Sequence, residues 1–420
     1  MTDSASAATS AAPRSAGAGH PRQTLSEGLS GRHNSFGLLR LALATVVIFS
    51  HAVTLGGWGP DPLPALDENQ ESLGGLAVLG FFAISGYLIA KSGMNADGLQ
   101  FLWRRVLRIF PAFYLVLLVA AFVVGPLAWL MVRRPLTTYF NTGPQGPFAY
   151  VLHNADLWIR QYGINDVFAT TTPFGEKGGS VLNGSLWTLS YEFGAYLIIF
   201  LLVVTGILAR ARFMVPVLTG FYLVVQIVNV VTSGAGRLIL PTLGDNERVA
   251  LPLIFLFGSC LAVYSKKIPL DGRLAIFSLA IALFTLREGG LTILGYPAIA
   301  YLVIWLAARL PARLHWVGRT NDYSYGIYVY GFLVQQFTAS LGWNNWGYLP
   351  WTLAVVVISG GCAWLSWHGV EKRALALKDV GPGRGFAYWH ERISLARERP
   401  RHSESLPDVG APAPTPREST

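Results

Sequence analysis

The chain reads as an all-α, polytopic membrane protein: a helical bundle of about ten transmembrane helices with both termini cytosolic. Three observations predict this. Apolar runs of about 17 to 24 residues, each long enough to cross a hydrocarbon core of ~30 Å, recur along most of the sequence. Of its 420 residues 52% are hydrophobic and 13% charged, and mean hydropathy is +0.43, values foreign to a soluble domain. Lys and Arg concentrate in alternate connectors, as their preference for the cytosolic side requires.

Taken in order, residues 1–35 are rich in Ala, Ser and Gly and have no apolar run, so they read as a disordered cytosolic N-tail rather than a secretory signal. Asp3, Glu27 and the lack of an amphipathic pattern argue against an organelle transit peptide. Residues 36–374 form the membrane domain, with segments near 38–55, 73–90, 111–132, 185–208, 213–232, 249–264, 272–286, 291–308, 324–341 and 349–370. Those at 249–264 and 272–286 are short enough to be tilted or re-entrant. Connectors assigned to the cytosol carry Lys91, Arg104, Arg105 and Arg108, then Arg210 and Arg212, then Lys266, Lys267 and Arg273, then Arg309, Arg313 and Arg319. The first external connector has Asp61, Asp67, Glu68 and Glu71 and no cation; the last, "GWNNWGYLP", is uncharged. This alternation favours an even number of spans. Residues 133–184 are a large external loop of about fifty residues, rich in Gly, Pro, Thr and aromatics and long enough for a lid or binding element. Residues 375–420 turn polar and Pro-rich, carry Arg392, Arg397, Arg399 and Arg401, and read as a disordered cytosolic C-tail. There is no internal repeat.

Several function classes drop out. The net charge of +9 lies in connectors and tails, with no ordered soluble surface to carry a nucleic-acid footprint. Cys260 and Cys362 sit inside apolar segments and give neither a disulfide framework nor a metal site. No Walker A, His-Glu-x-x-His or Gly-x-Ser-x-Gly pattern occurs, and His153 and Asp156 in "HNAD" lack the His-x4-Asp spacing of glycerolipid acyltransferases.

The informative residues are polar groups in apolar surroundings. Arg40 and His51 lie eleven positions apart in the first segment; that is some 20° past three helical turns, so both point the same way, roughly 16 Å apart along the axis. Burial in lipid would be costly, so both are expected to face a protein-lined or wet interior. Arg40 also fits a snorkelling interfacial cation, whereas His51, with Ser50 beside it, reads as functional. In "FLWRRVLRIFPAFYL", Arg105 and Arg108 share a helix face at a membrane border, a spacing suited to phosphates and equally to anchoring. In "NGSLWTLSYEFGAYL", Glu192 enters an apolar helix near its start, and Trp187 and Tyr191 suit either sugar stacking or the interfacial aromatic belt. Asn183-Gly184-Ser185 matches a glycosylation sequon. Ser85 and Gly86 permit close helix packing, and Glu371 beside Lys372 and Arg373 reads as a solvated helix end.

Over residues 36–377 these stretches resemble the acyltransferase-3 family of integral membrane acyltransferases. Arg40-x10-His51 matches its basic residue–x10–His motif. "FFAISGYLI" resembles its Phe-Phe-x-x-Ser-Gly signature, and "RRVLRIFPAFYL" its Arg-x-x-Arg element followed by Ile-x-Pro. "GSLWTLSYEFGAYL" is similar to its Leu-Trp-(Ser/Thr)-Leu-x-x-Glu segment, and "YSYGIYVYG" to its late Ser-Tyr-x-x-Tyr stretch, with Tyr330 or Gly331 where many relatives have His.

The resemblance implies an acyl-CoA-dependent O-acyltransferase, commonly an O-acetyltransferase, in a bacterial plasma (inner) membrane. Acetyl-CoA would be co-substrate, with no resident cofactor or metal, and the acceptor a hydroxyl of a cell-envelope or exported glycan. On this reading Arg105 and Arg108 bind CoA phosphates and Arg40 steadies the donor arm. His51 acts as general base on the acceptor hydroxyl or itself carries the acyl group. Glu192 orients or charge-balances His51, while Trp187 and Tyr191 hold the acceptor. Some relatives carry a soluble SGNH-type domain; the polar tail here is too short for one, so the 133–184 loop is expected to grip the acceptor. A transporter or flippase of a glycan precursor is the alternative that intramembrane charges also allow. No feature bears on oligomeric state.

Overall fold

A computed structural model describes residues 23–31, 34–63 and 70–398, and these form a helical membrane bundle with no strand among the described residues. Asp67 and Glu68, most of the expected N-tail including Asp3, and Arg399 and Arg401 lie outside the described residues. Ten helices follow the ten apolar segments. They are α1 (Phe36–Leu55), α2 (Leu73–Gly93), α3 (Gly98–Val119, continued through a π turn to Met131), α4 (Thr188–Val204) and α5 (Met214–Val231). Next come α6 (Asn246–Val263), α7 (Gly272–Glu288), α8 (Tyr296–Arg309), α9 (Ser324–Ser340) and α10 (Tyr348–Ser366, continued to Asp379). An eleventh helix, α11 (Gly385–Glu398), follows. Among the described residues eight helical spans are long and apolar enough to cross a membrane, against about ten expected; α4 and α8 reach that length with the turns that lead into them from Gly184 and Leu291, while α7 and α9 reach only 17 residues.

Polar residues at the segment boundaries set the helix starts. Ser72 accepts from Gly75 N (2.9 Å), Asp97 from Leu99 N (2.9 Å), Asp245 from Glu247 N (3.0 Å) and Asp271 from Arg273 N (2.7 Å), each satisfying an orphan donor of the first turn. Between α7 and α8 the chain turns through Gly289 (φ +94°) and Gly290 (φ +85°), conformations that a side chain would strain.

Two contacts fix the centre. In α2 and α6, a Cβ on Gly86 would overlap the backbone of Phe255 and one on Gly258 that of Ala83, so the two backbones touch. Ser259 Oγ donates to the Gly86 carbonyl (3.1 Å) across this contact. Helix α9 is buried along nearly its whole length, polar residues included. Gln335 donates to the Ile48 carbonyl and Gln336 to that of Val181 (2.8 Å each), which gives their amide nitrogens partners that lipid could not. By contrast α7 exposes Ile276, Phe277, Leu283 and Phe284, an apolar face suited to lipid.

Two regions, in the tails, differ from expectation, and the large loop gains detail. Part of the N-tail is helical: Leu25–Gly28 carries a capping box between Thr24 and Glu27, buries Leu25 fully, and bonds Leu25 N to the Ile268 carbonyl (2.9 Å). The C-tail, read as disordered from residue 375, is ordered to residue 398. Trp103 Nε1 donates to the Leu377 carbonyl (3.0 Å) and Phe386 N to Asp97 (2.9 Å), which docks this segment on the start of α3. Residues 133–184 fold into short helices at Leu136–Tyr139, Pro147–His153 and Gly175–Gly178, held by buried polar groups such as Asn154 and Gln161. Asn183, read as a sequon, is 1% exposed and donates to the Val329 carbonyl (2.7 Å), so it presents no free amide for glycosylation.

Candidate active site

Arg40 and His51 occupy one side of α1, and the polar residues around them form three adjoining cavities. At the Arg40 end, Asp322 precedes α9 and receives two guanidiniums on one oxygen: Arg40 Nη1 and Arg108 Nη2, each at 2.6 Å from Oδ2. Its other oxygen accepts from Ser324 N (3.2 Å) and Ser324 Oγ (2.5 Å). Burial pushes the Asp322 carboxyl up, but Arg40, Arg108 and the Ser324 bonds outweigh it and hold it below the usual carboxylate range. Arg108 Nη1 also lies 4.0 Å from Glu371 Oε2, and Ser366 donates to Glu371 Oε1 (2.8 Å). These links tie α1, α3, α9 and α10 together.

Two residues of this network escape a sequence reading. Asp322 sits in a loop-like "NDYS", where only its place two residues before Ser324 at a helix start hints at a structural role. Glu371 beside Lys372 and Arg373 looks solvated, yet it is 2% exposed. The π turn at Trp367–Glu371 breaks the helical period that a sequence reading extends, so the inward face is misassigned.

Arg105 is different. Its Nη2 donates to Ser92 Oγ (3.2 Å) and its guanidinium lies over the rings of Phe101 (5.4 Å) and Tyr196 (6.0 Å). Among the described residues it makes no ion pair, whereas neighbouring Arg104 pairs with Asp379 (2.9 Å). Arg40, Arg104, Arg105, Arg108 and Lys378 line a cavity of about 770 Å³ whose one carboxylate is Glu192. Such a surplus of cations favours an anionic ligand.

Glu192 also lines the middle cavity, about 530 Å³, with Arg40, Arg108, Tyr196, Tyr325 and Tyr328. It accepts from Tyr196 Oη, one helical turn on, and from Ser85 Oγ (3.3 Å). The expected link from Glu192 to His51 is absent among the described residues: Glu192 is bound to Ser85 and Tyr196 instead. Tyr196 and Ser85 are therefore site residues that the Glu192 motif alone did not reveal.

Val78 and Tyr328 line both this cavity and a third of about 620 Å³ at the far end of α1. The third contains His51, Glu71, Ser72, Ser185, Trp187 and Glu247. The His51 ring packs edge-on against Phe332 (5.5 Å between centroids), and among the described residues its nitrogens take no hydrogen bond. Next to it, Ser50 donates to Asp61. Trp187 reaches this cavity, while Tyr191 packs against Trp158 (6.1 Å) and the edge of Trp187 (5.5 Å). Outside the site, His153 pairs with Gln161 (3.1 Å) and Asp156 with Arg160 (2.7 Å), as ordinary loop residues.

A helical membrane bundle whose interior joins an arginine-lined cavity to one holding a free imidazole is suited to group transfer, and comparison with known proteins gives the class. An acyltransferase-domain model, that of the acyltransferase-3 family, matches residues 33–368. The chain is 30% identical over 359 residues to an "O-acetyl transferase" of Shigella phage Sf6, covering 82% of this chain and 96% of the relative. It is also 30% identical over 376 residues to "Nodulation protein 10" of Rhizobium leguminosarum bv. viciae, covering 83% and 95%. No solved structure matches the chain. The chain belongs to the acyltransferase-3 family and is a membrane O-acyltransferase.

Proposed function

We propose that this protein moves an acetyl group from cytosolic acetyl-CoA to a hydroxyl of a cell-envelope or exported glycan, in a bacterial inner membrane. The observation that carries this reading is the placement of a cation-rich cavity and a histidine cavity at opposite ends of α1, with shared walls between them. Arg105, which has no carboxylate partner among the described residues, and Lys378 meet the CoA phosphates. Arg40 and Arg108, crosslinked by Asp322, shape the passage for the donor arm and keep their guanidiniums in place. At the far end a His51 ring nitrogen takes the acceptor's hydroxyl proton as its oxygen attacks the thioester carbonyl. The carbonyl–sulfur bond then breaks, and CoA leaves as a thiolate that is protonated as His51 is restored. Trp187 holds the acceptor ring beside His51.

The test is transfer of labelled acetyl from acetyl-CoA by the purified full chain to a glycan acceptor. General-base loss in His51→Ala should lower the rate by about 10²- to 10⁴-fold, with acetyl-CoA affinity unchanged by calorimetry. Unimpaired transfer in that variant would remove His51 from the chemistry.

A further inference from the structure

The cavity at the His51 end has a charge opposite to that of the donor end. Two carboxylates, Glu71 and Glu247, line it, and among the described residues no Lys or Arg does. Arg248, the cation next to Glu247, is committed elsewhere: its Nε lies 3.1 Å from Asp245 Oδ2 and its guanidinium 4.4 Å over the Trp158 ring. Beside His51, Asp61 adds a third acid, fixed by Ser50 and by the amides of Leu63 (2.9 Å) and Leu73 (3.2 Å).

A second observation concerns Ser185. It lines the same cavity and is 2% exposed, yet its Oγ has no hydrogen-bond partner. Its amide is satisfied by Asn183 Oδ1 (3.2 Å), so the hydroxyl alone is left over. Buried hydroxyls are rarely left unpaired, and a ligand hydroxyl in the cavity would complete this one. Trp187 on the same wall offers an aromatic surface for a sugar ring, and Glu71 and Glu247 accept hydrogen bonds from sugar hydroxyls.

The geometry points to a site for a neutral, hydroxyl-rich sugar unit, selected against uronic acids and other anionic sugars, as the group presented to His51. That this unit is the acyl acceptor rests on the function proposed above. An anion about 6 Å from one carboxylate in a wet cavity is disfavoured by roughly three- to tenfold, and this cavity holds two.

The test uses the full chain in detergent, with p-nitrophenyl glucoside and p-nitrophenyl glucuronide as matched probes. Each is titrated for protection of His51 from diethyl pyrocarbonate, read at that residue by peptide mass spectrometry. The glucoside should protect at a three- to tenfold lower concentration or better. Replacing both acids (Glu71→Gln with Glu247→Gln) should narrow this gap at least threefold, and Ser185→Ala should weaken glucoside protection. Equal protection by the two probes, better protection by the glucuronide, no protection by either, or a gap unchanged in the double variant each overturns the inference. Acetyl-CoA binding and label transfer are measured alongside. Discrimination without either means that the acyl-transfer reading fails while the charge selection stands. Transfer without discrimination means that this inference alone fails.

Discussion

At the scale of the residue, Asp322 is the side chain on which the site's shape most depends. Its one negative charge is shared by two guanidiniums within a network of part-buried and buried charges that Glu371 completes. Removing one partner of such a network leaves uncompensated charge, at a cost of about 3–5 kcal/mol. Asp322→Asn should therefore lower thermal stability in detergent markedly, and Asp322→Glu less so. The effect has a defined pH dependence. Because the folded-state pKa is lowered, the contribution is fully present above the unfolded value of about 4 and is lost as pH falls toward the folded value. The stability gap between wild type and Asp322→Asn should be constant near neutral pH and shrink below about pH 4, as thermal melts across pH would read. A constant gap down to pH 2 would show that the carboxylate charge is not the source. Arg40 and His51 were legible in the sequence because a polar group in an apolar run is conspicuous, and Arg105 and Arg108 because their spacing puts them on one helix face. Asp322 and Glu371 were not, since an acid in a connector or beside two basic residues has an ordinary solvated explanation.

At the scale of the element, hydropathy located α1 to α10 because lipid demands continuous apolar length, and it missed α11, which is polar. It misjudged what surrounds some of them. Helix α9 is shorter than the spans around it and is packed in protein, which is why it tolerates Gln335 and Gln336. The first turns of α3 read as a basic connector, yet they are helix and carry Arg104, Arg105 and Arg108. The close contact of α2 and α6 was foreshadowed by Gly86, though its partner, Phe255 on α6, was not, because pairing of distant helices leaves no local signal. Gly86→Ala should force these backbones apart at a cost of about 1–3 kcal/mol or more. Since Ser85 on the same turn bonds Glu192 and Tyr196, the variant should also lose acetyl transfer faster than it loses helicity. Near-normal melting and activity in Gly86→Ala would mean that α2 and α6 have room to shift.

At the scale of the whole molecule, the three cavities run in series from a cation-rich mouth to an acid-lined one, and in the proposed function this polarity would give the reaction its direction. An anionic donor is attracted to one mouth and repelled from the other. In the orientation proposed from the alternation of connector charges, the Arg105 end faces the cytosol. The two ends then belong to opposite sides of the membrane, and accessible positions report on them. Lys177 lies beyond Phe174, which packs against Phe332 and through it reaches His51; Glu391 lies on α11, docked on the start of α3. Both are exposed. In a chain whose Cys260 and Cys362 are changed to Ser, a membrane-impermeant maleimide applied to intact cells should label Lys177→Cys and spare Glu391→Cys. Permeabilised cells should show both labelled. If both positions were labelled in intact cells, or Glu391→Cys alone, the donor mouth would not face the cytosolic pool of acetyl-CoA. The proposed path would then lose its driving asymmetry, because the bulk of the donor would meet the acid-lined mouth that repels it.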